Sequence, residues 1–161
     1  MYIYSSPIGR LIIESDGEAI TVCAFDQNDD KTGVHKEKEP NGLTELPSSN
    51  VIKRCVYELE SYFAGSLISF TVPLRPKGTA FRMKVWQELQ KIGYGETINY
   101  KQLAEAVGNP LAARAVGGAN HHNPIVILIP CHRVIGASGD LTGYGGGLWR
   151  KKYLLDLEKP K

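Results

Sequence analysis

Of the 161 residues only three are cysteine, and no two of them stand at a C-x-x-C spacing. That shortage argues against a disulfide scaffold and against a four-ligand zinc module, and it fits a reducing compartment. Long apolar runs are missing as well. The longest, Ile125-Val126-Ile127-Leu128-Ile129, falls far short of the roughly 18 residues a membrane span requires. The opening MYIYSSPIGR has no basic stretch leading into an apolar one, so a cytoplasmic protein is expected, or a nuclear one in a eukaryote. No internal repeat or low-complexity tract is visible. A membrane protein, a secreted mini-protein and a fibrous repeat are thereby set aside. With 42% hydrophobic and 22% charged residues, the chain can bury a core and does not read as disordered.

Net charge is also scarce, at +2, until the chain is divided at Leu74. Residues 1–74 carry 6 Lys/Arg against 11 Asp/Glu, a net of −5; residues 75–161 carry 13 against 6, a net of +7. An asymmetry of this size points the second half towards a polyanion, with chance clustering of solvated charge as the plain alternative.

The hydropathy pattern predicts a mixed α/β chain of two domains, 1–74 and 75–161. Tyr2–Ser5, Arg10–Ser15 and Ala19–Phe25 read as strands separated by Pro7-Ile8-Gly9 and Asp16-Gly17 turns. Asp26 to Pro47 is polar and reads as a long surface loop. Ser48 or Ser49 then caps a helix with apolar positions Val51, Ile52, Cys55, Val56, Leu59, Tyr62 and Phe63, stopped by Gly65. Ile68–Val72 reads as one more strand. Cys23 and Cys55 are expected to be small core hydrophobes. Past the linker Pro73–Gly78, Thr79 caps a helix that carries Phe81, Val85, Trp86, Leu89 and Ile92. Asn99–Val107, the breaker Gly108-Asn109-Pro110 and Leu111–Ala119 make a helix-turn-helix, and Leu148–Glu158 is a last helix.

Within Leu111–Ala119 the residues are nearly all Ala and Gly, and Arg114 is the one charged side chain. Gly117 and Gly118 each cost roughly 1 kcal/mol relative to Ala. Either tight packing against a neighbouring helix or close approach of a nucleic-acid groove would account for them. The segment 123–133 then offers chemistry. Its apolar run, bounded by Pro124 and Pro130, is expected to be buried and rigid, and it delivers Cys131 and His132 to its end. A free thiol is only a few per cent thiolate at neutral pH unless a base or a positive charge assists. His132 can act directly or through a water, and Glu158 can orient it. An inert buried cysteine beside a core histidine is the plain alternative. Gly136–Gly147 lacks the Gly-Lys-Ser/Thr ending of a P-loop, so it reads as a lid over a flat ring with Tyr144 at its tip, with a solvated loop as the plain alternative. His121-His122 has no carboxylate or cysteine at ligand spacing, so no metal is expected there.

Together these residues resemble a known family. Ile129-Pro130-Cys131-His132-Arg133-Val134 resembles the active-site motif of the O6-alkylguanine-DNA alkyltransferases, the methylated-DNA–protein-cysteine methyltransferases. The likeness extends over Arg114–Asn120, Asn123-Pro124, Gly139, Gly143-Tyr144 and Trp149 to Glu158, essentially all of residues 78–161. It implies a ribonuclease-H-like antiparallel sheet with a helix over 1–74, followed by a mostly helical, winged-helix-like DNA-binding and alkyltransferase domain over 75–161. It further implies a stoichiometric methylated-DNA–protein-cysteine S-methyltransferase, without cofactor, that repairs double-stranded DNA by direct reversal. The substrate would be O6-alkylguanine, with O4-alkylthymine beside it, and the acceptor Cys131. A monomer that does not engage membranes is expected, with cooperative binding along DNA left open.

The resemblance implies a role for each matching position. Arg114 would replace the flipped guanine in the base stack, and Ala115, Gly117, Gly118, Ala119 and Asn120 would face the minor groove. Tyr100 would hydrogen-bond N3 of the base. The Cys131 and Val134 carbonyls would accept from its exocyclic amine, and Tyr144, Gly145 and Trp149 would help bind it. Asn123 would brace the active-site turn, and Glu158, His132 and a water would generate the thiolate. Two departures stand out. Some relatives bind zinc in the first domain, but Cys23, Cys55 and His35 lack a ligand pattern, so no metal is expected. Many relatives carry Ser after the lid tyrosine; Gly145 stands here instead, which is expected to widen the pocket. Three rival functions fit part of the sequence. A non-reacting damage sensor would typically carry Trp at position 131, a Cys-His hydrolase leaves the Ala/Gly helix unexplained, and a transcription regulator would need major-groove side chains this helix does not display.

Overall fold

A computed structural model describes residues 1–29, 47 and 49–160. It divides into two compact units, Met1–Arg75 and Pro76–Lys161.

The first unit is built on an antiparallel sheet of β1 (Tyr2–Ser6), β2 (Gly9–Ser15) and β3 (Ile20–Phe25), in that order. Alternation decides which face is covered, because side chains two apart share a face. Leu11 and Ile13 of β2 and Cys23 of β3 are fully buried on one face, and Ile20, three residues from Cys23, joins that core because the pairing slips between Glu14 and Ser15. The β1–β2 turn is closed by Ser6, whose hydroxyl donates to Gly9 O at 2.6 Å. Asp16 makes the next turn, its carboxylate accepting from the N–H groups of Glu18 and Ala19, both at 2.9 Å.

Helix α1 (Asn50–Phe63) is capped by Ser49, whose hydroxyl accepts from Ile52 N. Its residues Ile52, Cys55, Leu59 and Tyr62 are buried and form one stripe. Both Cys23 and Cys55 sit in this core as free thiols. The segment Ile68–Val72 is not a strand. Glu58, buried on α1, accepts from Thr71 N, Thr71 Oγ1 and Val72 N at 2.6–3.2 Å. A helix carboxylate thus takes the backbone donors that a ladder would have used. Pairing resumes only at Leu74, which bridges Ile20 in parallel. Of the predicted surface loop 26–47, residues 30–46 lie outside the described residues; Asp26 is buried and ion-paired to Arg10 at 2.9 Å.

The second unit holds α2 (Ala80–Leu89), β4 (Ile98–Asn99), α3 (Tyr100–Ala106), α4 (Ala113–His121), a short 3-10 turn at Cys131–Arg133, β5 (Val134–Ile135) and α5 (Leu148–Glu158). Thr79 caps α2, and Asn99 with Gln102 forms a reciprocal capping box on α3. Gly108, at φ +85, ends the α3 region in the left-handed conformation that glycine tolerates best. Strands β4 and β5 pair in parallel, Ile98 with Val134 and Asn99 with Ile135. Trp86 anchors α2 to α4 by donating its indole N–H to Ala119 O at 2.8 Å. No helix among the described residues is long and apolar enough to cross a membrane.

Candidate active site

The chain from Asn123 to Cys131 is folded into tight turns. Ile129 N donates back to Ile125 O at 3.0 Å, and Leu128 N to Val126 O at 2.9 Å, which encloses Ile127 in a three-residue turn. Ile127 stands at φ +72, the sole non-glycine residue with positive φ among the described residues. A β-branched residue there costs of order 1–3 kcal/mol and persists only where its surroundings over-determine it. The second turn encloses Pro130 (φ −81, ψ 62), with Cys131 N donating to Ile129 O at 2.8 Å. This is the inverse γ geometry that proline's fixed φ favours. Asn123 ties both turns: its amide donates to Ile129 O at 2.8 Å and its carbonyl accepts from Ile125 N at 3.0 Å.

Cys131 emerges from these turns 3% exposed. Burial pushes its thiol up to about 11, against the downward pull of the Asn123 side chain, the Lys151 ammonium and nearby backbone N–H groups. At neutral pH that leaves only about one thiolate in 10⁴, so a proton acceptor is needed. His132 is fully buried, and its Nε2 lies 2.7 Å from Glu158 Oε1. Burial also holds the imidazole below its ordinary value, outweighing the upward pull of the Glu158 carboxylate. The ring is therefore neutral at physiological pH. Glu158 is clamped as an acceptor by Arg133, through Nε at 2.9 Å and a terminal nitrogen at 2.9 Å. The hydrogen of the neutral ring accordingly sits on Nε2, and the basic lone pair on Nδ1. Nδ1 has no protein partner among the described residues.

Two participants were not among the predicted site residues. Arg133 also donates to Ile92 O at 2.7 Å, so it fixes Glu158 from a buried position. Lys151 is fully buried; its ammonium donates to Val134 O and, at 2.9 Å, to Thr142 O. Burial lowers its pKa, and the adjacent Cys131 works in the opposite direction. The signal for Lys151 was its spacing, since it shares a helical stripe with Leu154 and Glu158. For Arg133 it was a cation directly following a buried Cys-His pair.

Of the six predicted groove residues on α4, Arg114, Ala115 and Gly118 are exposed and Gly117 is half-buried. Ala119 and Asn120 turn inward instead. The Ala119 carbonyl is taken by Trp86, and Asn120 donates its amide to Cys131 O at 3.3 Å. The packing explanation for the glycines does not hold. A Cβ on Gly118 would meet nothing within 4 Å, and one on Gly117 would make only ordinary contact with Tyr100 at 3.7 Å.

The Tyr100 hydroxyl donates to Thr142 O in the lid at 3.2 Å. The Cys131 carbonyl already accepts two donors, the Val134 N–H and the Asn120 amide at 3.3 Å, whereas the Val134 carbonyl accepts the Lys151 ammonium. Tyr144 and Trp149 are half-buried, and Gly145 is exposed. The space left by the missing side chain of Gly145 is bordered by His121, whose Cε1 would lie in ordinary contact with a Cβ there, at 3.5 Å. A pocket of about 430 Å³, lined in part by Ile135, Leu141, Leu155 and Glu158, does not include Cys131. No cluster of three or more metal-ligating side chains is found among the described residues.

These features define, as a class, a protein that sets an activatable cysteine behind the second helix of a helix-turn-helix unit. Residues 2–76 match the 6-O-methylguanine DNA methyltransferase ribonuclease-like domain, and residues 80–160 the DNA-binding domain of the same name. The methylated-DNA–protein-cysteine methyltransferase of Mycobacterium leprae is 49% identical over 154 residues, covering 96% of this chain and 88% of that protein. Its counterpart from Methanosarcina acetivorans is 46% identical, covering 97% and 96%. A crystal structure of the Mycobacterium tuberculosis O6-methylguanine methyltransferase superimposes with a TM-score of 0.82 at 46% identity, over 98% of this chain and 91% of that one. The chain belongs to the methylated-DNA–protein-cysteine methyltransferase family.

Proposed function

We propose that this protein repairs duplex DNA by direct reversal, moving the alkyl group of O6-alkylguanine, and of O4-alkylthymine, irreversibly onto Cys131. The observation that carries the reading is the buried Cys131 followed in sequence by the His132–Glu158–Arg133 chain, behind a helix that exposes Arg114 among small residues. A structure of Mycobacterium tuberculosis OGT in complex with DNA, 45% identical with a TM-score of 0.82, supports the DNA partner.

An alkylated O6 inside a stacked duplex is out of reach of a thiol buried in a protein, so the base must be extruded. The exposed stretch of α4 lies in the minor groove, and Arg114 fills the gap left in the stack. The flipped base enters between α4 and the lid, under Tyr144 and Gly145 and beside Trp149. The Val134 carbonyl accepts from its exocyclic amine, the Cys131 carbonyl does so in exchange for the 3.3 Å bond from Asn120, and Tyr100 reaches N3. The Cys131 proton passes to Nδ1 of His132, directly or through a water, and the Glu158–Arg133 clamp stabilises the imidazolium. The sulfur attacks the alkyl carbon; the S–C bond forms as the C–O6 bond breaks. The electron pair leaves with guanine, which regains a proton, with Tyr100 assisting neutralisation at N3. No group in the site can cleave the resulting thioether, so each molecule acts once. The reading calls for no cofactor or metal and takes the protein as a monomer. Residues 1–74 serve as its ribonuclease-H-like domain and residues 75–161 as the DNA-binding and transfer domain.

The test is intact mass after incubation with a stoichiometric duplex bearing one O6-methylguanine, followed by peptide mapping. A gain of one CH2 on the Cys131 peptide, with Cys23 and Cys55 unmodified, is expected. Tight binding without mass gain would make the protein a damage sensor instead.

A further inference from the structure

His121 has no part in the mechanism above, yet the backbone leading into it is fixed. It is the last residue of α4 and follows two anchored neighbours: the Ala119 carbonyl is bonded to Trp86, and the Asn120 amide to the Cys131 carbonyl. Its exposed imidazole therefore projects from backbone that Asn120 ties to the carbonyl of the nucleophile. The ring faces the lid. A Cβ at position 145 would lie 3.5 Å from its Cε1 and 3.8 Å from its Nδ1, ordinary contact distances. Backbone strain does not explain the glycine, since Gly145 is not among the positive-φ residues. The neighbouring His122 does not share this place: its Nδ1 is bonded to Gly118 O at 2.8 Å, and its ring meets His121 edge-on at 5.4 Å between centroids.

We propose that His121 is a specificity-determining residue: its imidazole, seated against Gly145, forms the wall between α4 and the lid and sets how large an O6 substituent reaches Cys131. The assignment rests on the alkyl-transfer reading. In a methyl lesion the reacting carbon is the whole substituent. In a benzyl lesion a ring extends beyond that carbon and must be housed where α4 and the lid approach each other. A Cβ at residue 145 would pack in contact with the imidazole, and a longer side chain would press on it, so positions 121 and 145 act as one unit rather than independently.

The experiment is single-turnover transfer, read by intact mass, from duplexes containing O6-methylguanine or O6-benzylguanine. The variants are His121→Ala, His121→Phe, Gly145→Ser and the His121→Ala/Gly145→Ser pair. The benzyl-to-methyl rate ratio is expected to rise roughly tenfold in His121→Ala, the scale on which pocket volume discriminates apolar groups. It is expected to stay near the wild-type ratio in His121→Phe, which restores the bulk, and to fall several-fold in Gly145→Ser. The pair should return towards the wild-type ratio. A ratio within about twofold of wild type in His121→Ala, a rise in His121→Phe as large as in His121→Ala, or strictly additive effects in the pair would overturn the assignment. Failure of the wild-type protein to gain mass from the methyl duplex would instead overturn the alkyl-transfer reading itself.

Discussion

At the scale of single residues, the site works by opposing burial with a small number of fixed charges. Burial alone keeps Cys131 a thiol and His132 a neutral base. Glu158 makes that base directional, because Arg133 holds both carboxylate oxygens and leaves Nε2 of His132 one partner. Glu158→Gln should therefore lower the rate of alkyl transfer by about 10²- to 10⁴-fold. It should also cost about 3–5 kcal/mol of stability, because the buried Arg133 loses its counter-charge. Single-turnover rates and denaturant titrations at a temperature where the variant is folded would separate the two effects. Stability itself should follow a dome in pH. The unfolded chain protonates His132 below about pH 6.5, whereas the folded chain resists, so stability falls as pH drops through that value. Above about pH 8.5 unfolded thiols ionise, but folded Cys131 is held at about 11 and Cys55 at about 12. Stability therefore declines from that point upward by about 1.4 kcal/mol per pH unit for each such thiol. The lowered Lys151 ammonium offsets part of this on the alkaline side. Denaturant midpoints measured from about pH 5 to pH 10 would trace both limbs.

At the scale of elements, α4 is a helix whose composition is set against its own stability. Neither Gly117 nor Gly118 is required by packing among the described residues, so the cost of each is best repaid by a partner. Gly118→Ala should raise stability by about 1 kcal/mol while weakening binding to lesion duplex, where the added methyl stands between backbone and groove. Thermal denaturation and a binding titration on the same variant check both halves; equal binding would remove the groove from the explanation. The helices were legible in sequence because their caps and stripes are local: Ser49, Thr79 and Asn99 each cap the helix that follows. The segment Ile68–Val72 was misread for the opposite reason. Its donors go to Glu58, thirteen residues back, and nothing in the run itself announces that partner. Cys131 and His132 were readable from one short motif. The inward turn of Ala119 and Asn120 was not, because it depends on Trp86 and on the Cys131 carbonyl, both distant in sequence.

At the scale of the whole molecule, charge is partitioned with the two units: residues 1–74 carry a net of −5 and residues 75–161 a net of +7. The positive part is the one assigned to DNA, so affinity should fall steeply with salt. Neutralising three to four phosphates predicts a loss of roughly 40- to 150-fold between about 50 and 200 mM salt. A binding series over that range checks it, and a flat response would count against a phosphate-tracking interface.

The bond from the Trp86 indole to the Ala119 carbonyl has an optical corollary. An indole's emission depends on its polarity and hydrogen bonding, and Trp86 is one of only two tryptophans in the chain. Its reporting partner is the helix that carries Arg114, and the next residue along, Asn120, grips the backbone of the nucleophile. Whatever strains that short path, at the sulfur or at the groove, is passed to a built-in fluorophore. A spent molecule should thus be distinguishable from a fresh one by the colour of its own light, so that a population of repair proteins would record, without any added dye, how many lesions it has met.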